Sequence, residues 1–206
     1  MPNSPKPFRT EYYNENELRS FGIGSVGNNV RIAKNCTIVG LERISIGNNV
    51  IIDSRCSIIV TGEGFLSLGS YIHIGSYSYL LASEGITIND FSGLSQGVKI
   101  YSKTDDYSGN SLTNPTVPNK YKKIKKGRVT IKPHVIIGAG SVILPNVIIE
   151  KGVAIGALSL VTTNLNSWTI YTGNPLKKVF ARSKKLLELK DEFLENADKK
   201  LMKMAK

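Results

Sequence analysis

Aliphatic residues recur along this chain at a fixed interval of six. From Ile131 to Val161 the series Ile131, Ile137, Ile143, Ile149, Ile155 and Val161 runs without a slip. Four residues after each of the first five stands a small or branched residue: Val135, Ser141, Val147, Val153 and Ser159. A half-buried strand alternates with period two and a helix with period 3.6. A period of six, with turns between short strands, belongs to a parallel β-helix in which each unit makes one flat side and a corner. The aliphatic residue points into a narrow core and the residue four later fills the turn.

The period extends upstream in triplets: Val26, Ile32 and Ile38; Ile46, Ile52 and Ile58; Leu68, Ile74 and Leu80; Ile88, Leu94 and Ile100. With Ile131, Ile137 and Ile143, then Ile149, Ile155 and Val161, these make about six triangular coils. Steps within a triplet are always six, whereas steps between triplets are 8, 10, 8, 31 and 6. Every insertion therefore leaves from the same corner of the prism. The largest, 101–128, is a long loop between the fourth and fifth coils, and loops of that length are usually functional or disordered. Coils stacked at ~4.8 Å give a prism roughly 25–30 Å tall. The predicted fold is all-β, a parallel β-helix carrying one long loop and a short helix at either end.

The ends depart from the period. Residues 1–10 show no pattern and are expected to be loose. Glu11 to Phe21 reads as a short helix with Asn14 as N-cap and Glu17 completing a capping box, and Gly22 ends it. Residues 1–25 thus form an arm and a cap, 26–163 the β-helix, and 164–206 a C-terminal segment. Leu165 to Val179 leaves the period and carries the turn Gly173-Asn174-Pro175. Ser183 to Ala205 places Leu186, Leu187, Leu189, Phe193, Leu194, Ala197 and Leu201 at helical spacing, an amphipathic helix with Ser183 as N-cap.

At 206 residues and 41% hydrophobic, the chain reads as one soluble domain. It has no apolar run of membrane-spanning length and no signal-peptide pattern at its start, so a cytoplasmic location is expected. Cys36 and Cys56 fall at inward positions and read as small core fillers. The formal charge of +11 is concentrated in Lys120, Lys122, Lys123, Lys125, Lys126 and Arg128 and in residues 177–206. Such patches attract phosphates, including those of a nucleotide cofactor. Nucleic acid is not the expected partner, because aromatic interleaving is missing.

Candidate chemistry is sparse. His73 and His134 are the two histidines, and their repeat positions place both outward or at a corner. Both follow the first side of a triplet, so they are expected on one face, ~10 Å apart along the axis. The loop supplies Asp105 and Asp106. These read either as an acidic turn bonded to its own backbone or as a carboxylate that orients a histidine base. The basic run after them reads either as a solvated arm or as a phosphate clamp. Two histidines are too few for a structural zinc site, and no metal is expected.

The repeat, the segment HVIIGAGSVILPNVIIEKGVAIGALSLVT at 134–162 and the closing IYTGNPLKKV at 170–179 resemble the hexapeptide-repeat acyltransferases, the superfamily of the galactoside, maltose and xenobiotic acetyltransferases. The resemblance covers about residues 20–182. IYSKTDDYSG with LTNPTVP is similar to a branch acting on sugars or surface polysaccharides. The resemblance implies a left-handed β-helix, a homotrimer with active sites between adjacent prisms, and acetyl-CoA as acyl donor. It implies pantetheine contacts at Ala139, Ala157 and Thr162 and phosphate contacts at Lys177, Lys178 or Arg182. Galactoside-type enzymes carry their catalytic histidine in the loop, where this chain has Ser102-Lys103-Thr104-Asp105-Asp106. A base must therefore come from elsewhere: His73, oriented by Asp105 or Asp106, or in its place His134. The expected reaction is direct transfer to a hydroxyl, rather than an amine, of a sugar, nucleotide sugar or polysaccharide. The alternatives are a small-molecule or antibiotic acetyltransferase and a non-catalytic trimeric scaffold.

Overall fold

The computed structural model describes residues 10–204, with side chains through residue 197. Residues 1–9, which hold nearly all of the segment expected to be loose, and the side chain of Leu201 lie outside the description. Three parallel faces close into a triangular prism. The first carries Ser25–Val26, Ile44–Ile46, Leu66–Leu68, Ile86–Ile88, Val129–Ile131 and Ile148–Ile149. The second runs from Val30–Ala33 to Ala154–Ile155, and the third from Thr37–Val39 to Leu160–Val161. The inward aliphatics pair coil to coil as the period predicts: Val26 with Ile46 and Leu68, Ile88 with Ile131 and Ile149. The other two faces keep the same register, through Ile52–Ile74 and Ile100–Ile143. Ile74, Leu80, Ile100, Ile131 and Ile143 are fully buried. Burying each such side chain contributes about 1.5–3 kcal/mol, so a column of aliphatics holds each face.

The repeat goes further than the sequence suggests. Leu165 bridges to Ile149, and Thr169–Thr172 pairs in parallel with Ala154–Ile155. Leu165 and Tyr171, six apart and both buried, are the first and second sides of a partial seventh coil. The step from Val161 to Leu165 is four rather than six, which hides it. Lys177–Ala181 then turns back antiparallel to Thr169–Thr172.

At the other end, α1 (Glu15–Ser20) has the full capping box: the Asn14 side chain accepts from Asn16 and Glu17, and the Glu17 carboxylate accepts from the Asn14 N–H. Leu18 of α1 is buried in the core cluster, so the helix plugs the open end of the prism. Tyr12–Tyr13 adds antiparallel to Val30–Ala33. The C-terminal helix α2 spans Leu186–Met204, and the Ser183 hydroxyl accepts from the Lys185 N–H just before it.

Candidate functional site

The long loop is anchored by its own strands. Lys103–Asp105 pairs antiparallel with Ile124–Lys126, setting Lys103 opposite Lys126, Thr104 opposite Lys125 and Asp105 opposite Ile124. The base is fixed by Ser102, fully buried, whose hydroxyl donates to the Leu81 carbonyl at 2.8 Å and accepts from the Glu84 N–H. Gly127 N–H closes the neck on the Ser102 carbonyl.

This hairpin stands on the corner between the third and first faces and separates two cavities. One, of about 510 Å³, lies toward the N-terminal coils and is lined by Thr61, Ser83, Lys103, Asp105 and Lys122 among others. The second, of about 610 Å³, lies toward the C-terminal coils against Lys125, Lys126, Leu144, Pro145, Asn146 and Thr162. Thr104 and Ile124 line both, so a single thickness of hairpin is their common wall.

The two loop carboxylates differ. Asp106 is buried and filled by its neighbours: Ser108 donates from its N–H and, at 2.7 Å, its hydroxyl, and the Ser111 hydroxyl adds a third bond. These bonds, those from Ser108 foremost, hold its carboxyl below the ordinary range. Asp106 is a structural turn carboxylate. Asp105 accepts one bond, from the Asn114 N–H at 3.2 Å, and lines the N-terminal cavity.

The histidines are not on one face. His73 lies on the second face, in the strand Ile72–Ile74, because the residue five after Leu68 already belongs to the next side. Its carboxylate partner is Asp53 of the preceding coil, Nε2 to Oδ2 at 2.8 Å, not Asp105 or Asp106. Tyr12 donates to the other Asp53 oxygen at 3.2 Å and the Cys36 thiol to the Asp53 carbonyl. Within the chain, the expected orientation of His73 by the loop is therefore replaced by a His–Asp–Tyr cluster that ties the N-terminal strand to the prism.

His134 sits at the corner between the first and second faces, in the left-handed region at φ 63°. Tyr71, Phe91 and His134 occupy this position on successive coils, all with φ near 60°. Bulky residues rarely adopt that conformation; here their rings stack, at 4.6 Å for Tyr71–Phe91 and 5.3 Å for Phe91–His134. Phe193 of α2 meets Tyr71 edge-on. Burial, then the nearby Lys190 and Arg182, hold the His134 imidazole below its ordinary pKa. The histidine is part of a seam that seats α2.

The residues expected to hold the donor divide as well. Ala139 and Ala157 stack at the corner between the second and third faces, where the Leu158 N–H donates to the Ala139 carbonyl at 2.8 Å. Thr162 lies at the far end of the third face, in the C-terminal cavity. Lys177 and Lys178 are exposed on the returning strand. Arg182 is half-buried, and its Nη1 donates to the carbonyls of His134, Gly152 and Val153 at 2.7–3.2 Å, which ties that end of the guanidinium to the backbone. Cys36 and Cys56 are free thiols on adjacent coils. Among the described residues no cluster of three or more His, Cys, Asp or Glu could hold a metal, and no helix is long and apolar enough to cross a membrane.

The profile of bacterial hexapeptide transferases, six repeats, matches residues 128–163. The dTDP-4-amino-4,6-dideoxy-D-glucose acyltransferase of Escherichia coli is 45% identical over 186 residues, 90% of this chain and 96% of that protein. The chain belongs to the hexapeptide-repeat acyltransferases. Among solved structures, the N-acyltransferase AntD of Bacillus cereus, in complex with dTDP and 3-hydroxybutyryl-CoA, superposes with a TM-score of 0.86 at 44% identity, covering 92% of this chain and all of that one. A variant of AntD with dTDP-4-amino-4,6-dideoxyglucose and coenzyme A gives 0.87 at 45% identity, covering 91% and 98%. This acyltransferase thus has the expected fold and the expected reaction class, acyl transfer involving a sugar. Sequence reasoning missed Asp53 and the cavity residues Ser83, Leu144 and Pro145. Asp53 directly follows the inward Ile52, which was the one available signal for an outward carboxylate near His73.

Proposed function

We propose that this acyltransferase moves an acyl group from a coenzyme A thioester to the amine of a nucleoside-diphosphate-linked amino sugar. The observation that carries the reading is the hairpin wall: two cavities, each large enough for part of a nucleotide ligand, meet across Thr104 and Ile124. The donor takes the C-terminal cavity, which contains Thr162, and the acceptor takes the N-terminal one, which contains Asp105. The hydroxyl acceptor expected from the sequence gives way to an amine, because the E. coli relative and AntD are described as acting on an amino sugar or as N-acyltransferases.

In this mechanism the amine attacks the thioester carbonyl carbon, a backbone N–H stabilises the oxyanion, and the C–S bond breaks to release coenzyme A. Asp105 receives the proton leaving the amine; of the loop carboxylates it is the one with an unfilled oxygen facing a cavity. His73 is the second candidate base, favoured by its 2.8 Å contact to Asp53, but it lines neither hairpin cavity. Ala139 and Ala157 lie one whole face away from Thr162. A donor touching all three would lie in the groove between two copies of the chain, which supports a homotrimer with shared sites. In that arrangement Lys177 and Lys178 reach the donor phosphates.

The test is thiol release from acetyl-CoA in the presence of dTDP-4-amino-4,6-dideoxyglucose. The wild type should turn over, and Asp105→Asn should lose about 10²–10⁴-fold in kcat while His73→Gln loses less than tenfold. No turnover with any acyl-CoA would overturn the reading, and the reverse ranking of the two variants would move the base to His73.

A further inference from the structure

The hairpin carries more positive charge than its own fold can use. Lys103 stands directly opposite Lys126 in the antiparallel register, and like charges in that position destabilise a strand pair. Glu84, 3.7 Å from Lys126, answers one of them. Among the described residues neither Lys103 nor Lys125 has a carboxylate at ion-pair distance. The two point to different places: Lys103, half-buried, lines the N-terminal cavity with Asp105, and Lys125 lines the C-terminal cavity with Thr162. Lys126, although paired with Lys103, lines the C-terminal cavity beside Lys125, so the second strand faces the donor side with both lysines and the first strand turns Lys103 to the acceptor side.

We infer that the hairpin divides its cations between two phosphorylated ligands, Lys103 holding the diphosphate of the acceptor nucleotide and Lys125 a phosphate of the coenzyme A donor. This rests on the donor and acceptor assignment above and adds residues that discriminate between the two ligands. One short strand pair would then set the approach of both substrates, because each phosphate is held a fixed distance from the shared wall at Thr104 and Ile124. Lys122 has a different task. Its ammonium donates to the Asn114 carbonyl at 3.0 Å and so holds the loop that presents Asn114 to Asp105. Lys123 is exposed and lines neither cavity.

The experiment is calorimetric titration of the full chain with coenzyme A and, separately, with dTDP, on wild type, Lys103→Ala, Lys125→Ala and Lys123→Ala, with melting curves to confirm that each variant folds. Charge-assisted bonds to phosphate predict a loss of about 10–100-fold for the matched ligand. Lys125→Ala should weaken coenzyme A while leaving dTDP unchanged, Lys103→Ala should do the opposite, and Lys123→Ala should do neither. Lys103→Arg should restore dTDP binding. If wild type binds both ligands but the variants weaken both alike, or the pattern is exchanged, the division of cations is overturned and the acyltransfer reading stands. If wild type binds neither ligand, the donor and acceptor reading fails and this inference fails with it.

Discussion

Replacing Gly138 with Ala tests how tightly the coils bearing Ala139 and Ala157 are stacked. An added Cβ would meet the Ala157 nitrogen at 2.4 Å and the Gly156 carbonyl carbon at 2.6 Å. These are backbone atoms of the next coil and have no rotamer to give. Restoring ordinary contact requires the two coils to separate locally by about 1 Å. That movement stretches the Gly138 N–H to Ile155 carbonyl bond and the Leu158 N–H to Ala139 carbonyl bond, both 2.8 Å. Leu158 is largely exposed, so its N–H can turn to water; weakening the half-buried Gly138 bond and spreading the coils should cost about 1–3 kcal/mol. For a chain of this size each kcal/mol moves the melting temperature by about 2–4 °C, and a fall of about 2–12 °C follows. Gly93 supplies the control. It lies on the same face, and its added Cβ would meet nothing within 4 Å, so Gly93→Ala should be neutral or stabilising by about 0.4–1 kcal/mol. The assay is urea unfolding of both variants, followed by coenzyme A titration of whichever remains folded. A Gly138→Ala protein as stable as wild type would refute the reasoning about coil spacing. A destabilised one that binds coenzyme A normally would remove this corner from the donor site.

The His134 imidazole, held low by burial, takes up its proton more readily in the unfolded chain. Stability should therefore be complete above the ordinary histidine range near ~6.5 and should decline as pH falls below it. In His134→Asn, which suits the left-handed corner, urea unfolding between pH 7 and 5 should show a shallower decline; an unchanged slope would assign it to other groups. Asn14→Ala removes the acceptor of the capping box and should cost about 1 kcal/mol, read as a shift in urea midpoint; no shift would mean that the cap is redundant with the packing of Leu18. Hydrogen bonding to Cys56 holds the Cys36 thiol low and pushes Cys56 up. Iodoacetamide at neutral pH should therefore modify Cys36, partly exposed, and spare the buried Cys56, as peptide mass spectrometry would show.

The inward residues of the prism were readable because their constraint is rigid. Aliphatics six residues apart must fall on the three faces in turn, and Ile46, Leu68, Ile88 and Ile131, each the first of its triplet, stack on one face where the spacing puts them. Outward positions carry no such constraint. The period says that His73 points away from the core but not which neighbouring coil supplies its partner, so the loop acids Asp105 and Asp106 were the expected partners and Asp53 went unnoticed. The hairpin strands Lys103–Asp105 and Ile124–Lys126 escaped notice because they are short and polar and show no alternation. The seventh coil escaped because its first step is short. The resemblance implies Arg182 as one phosphate ligand among Lys177, Lys178 and Arg182, and it carries no sign of the three backbone carbonyls that Nη1 meets in the folded chain. Nothing in the repeat encodes whether the acceptor is an amine or a hydroxyl, since the period fixes the inward aliphatics and not the side chains that line the cavities.

The measurement that bears most directly on the central claim is a competition. The enzyme would be given acetyl-CoA with equal amounts of dTDP-4-amino-4,6-dideoxyglucose and its 4-hydroxy counterpart, and the products weighed by mass spectrometry. The account predicts that the amino sugar alone gains an acetyl group, stably held as an amide under mild base that would cleave an ester. Acetylation of the hydroxy sugar at a comparable rate, or a base-labile product, would contradict it.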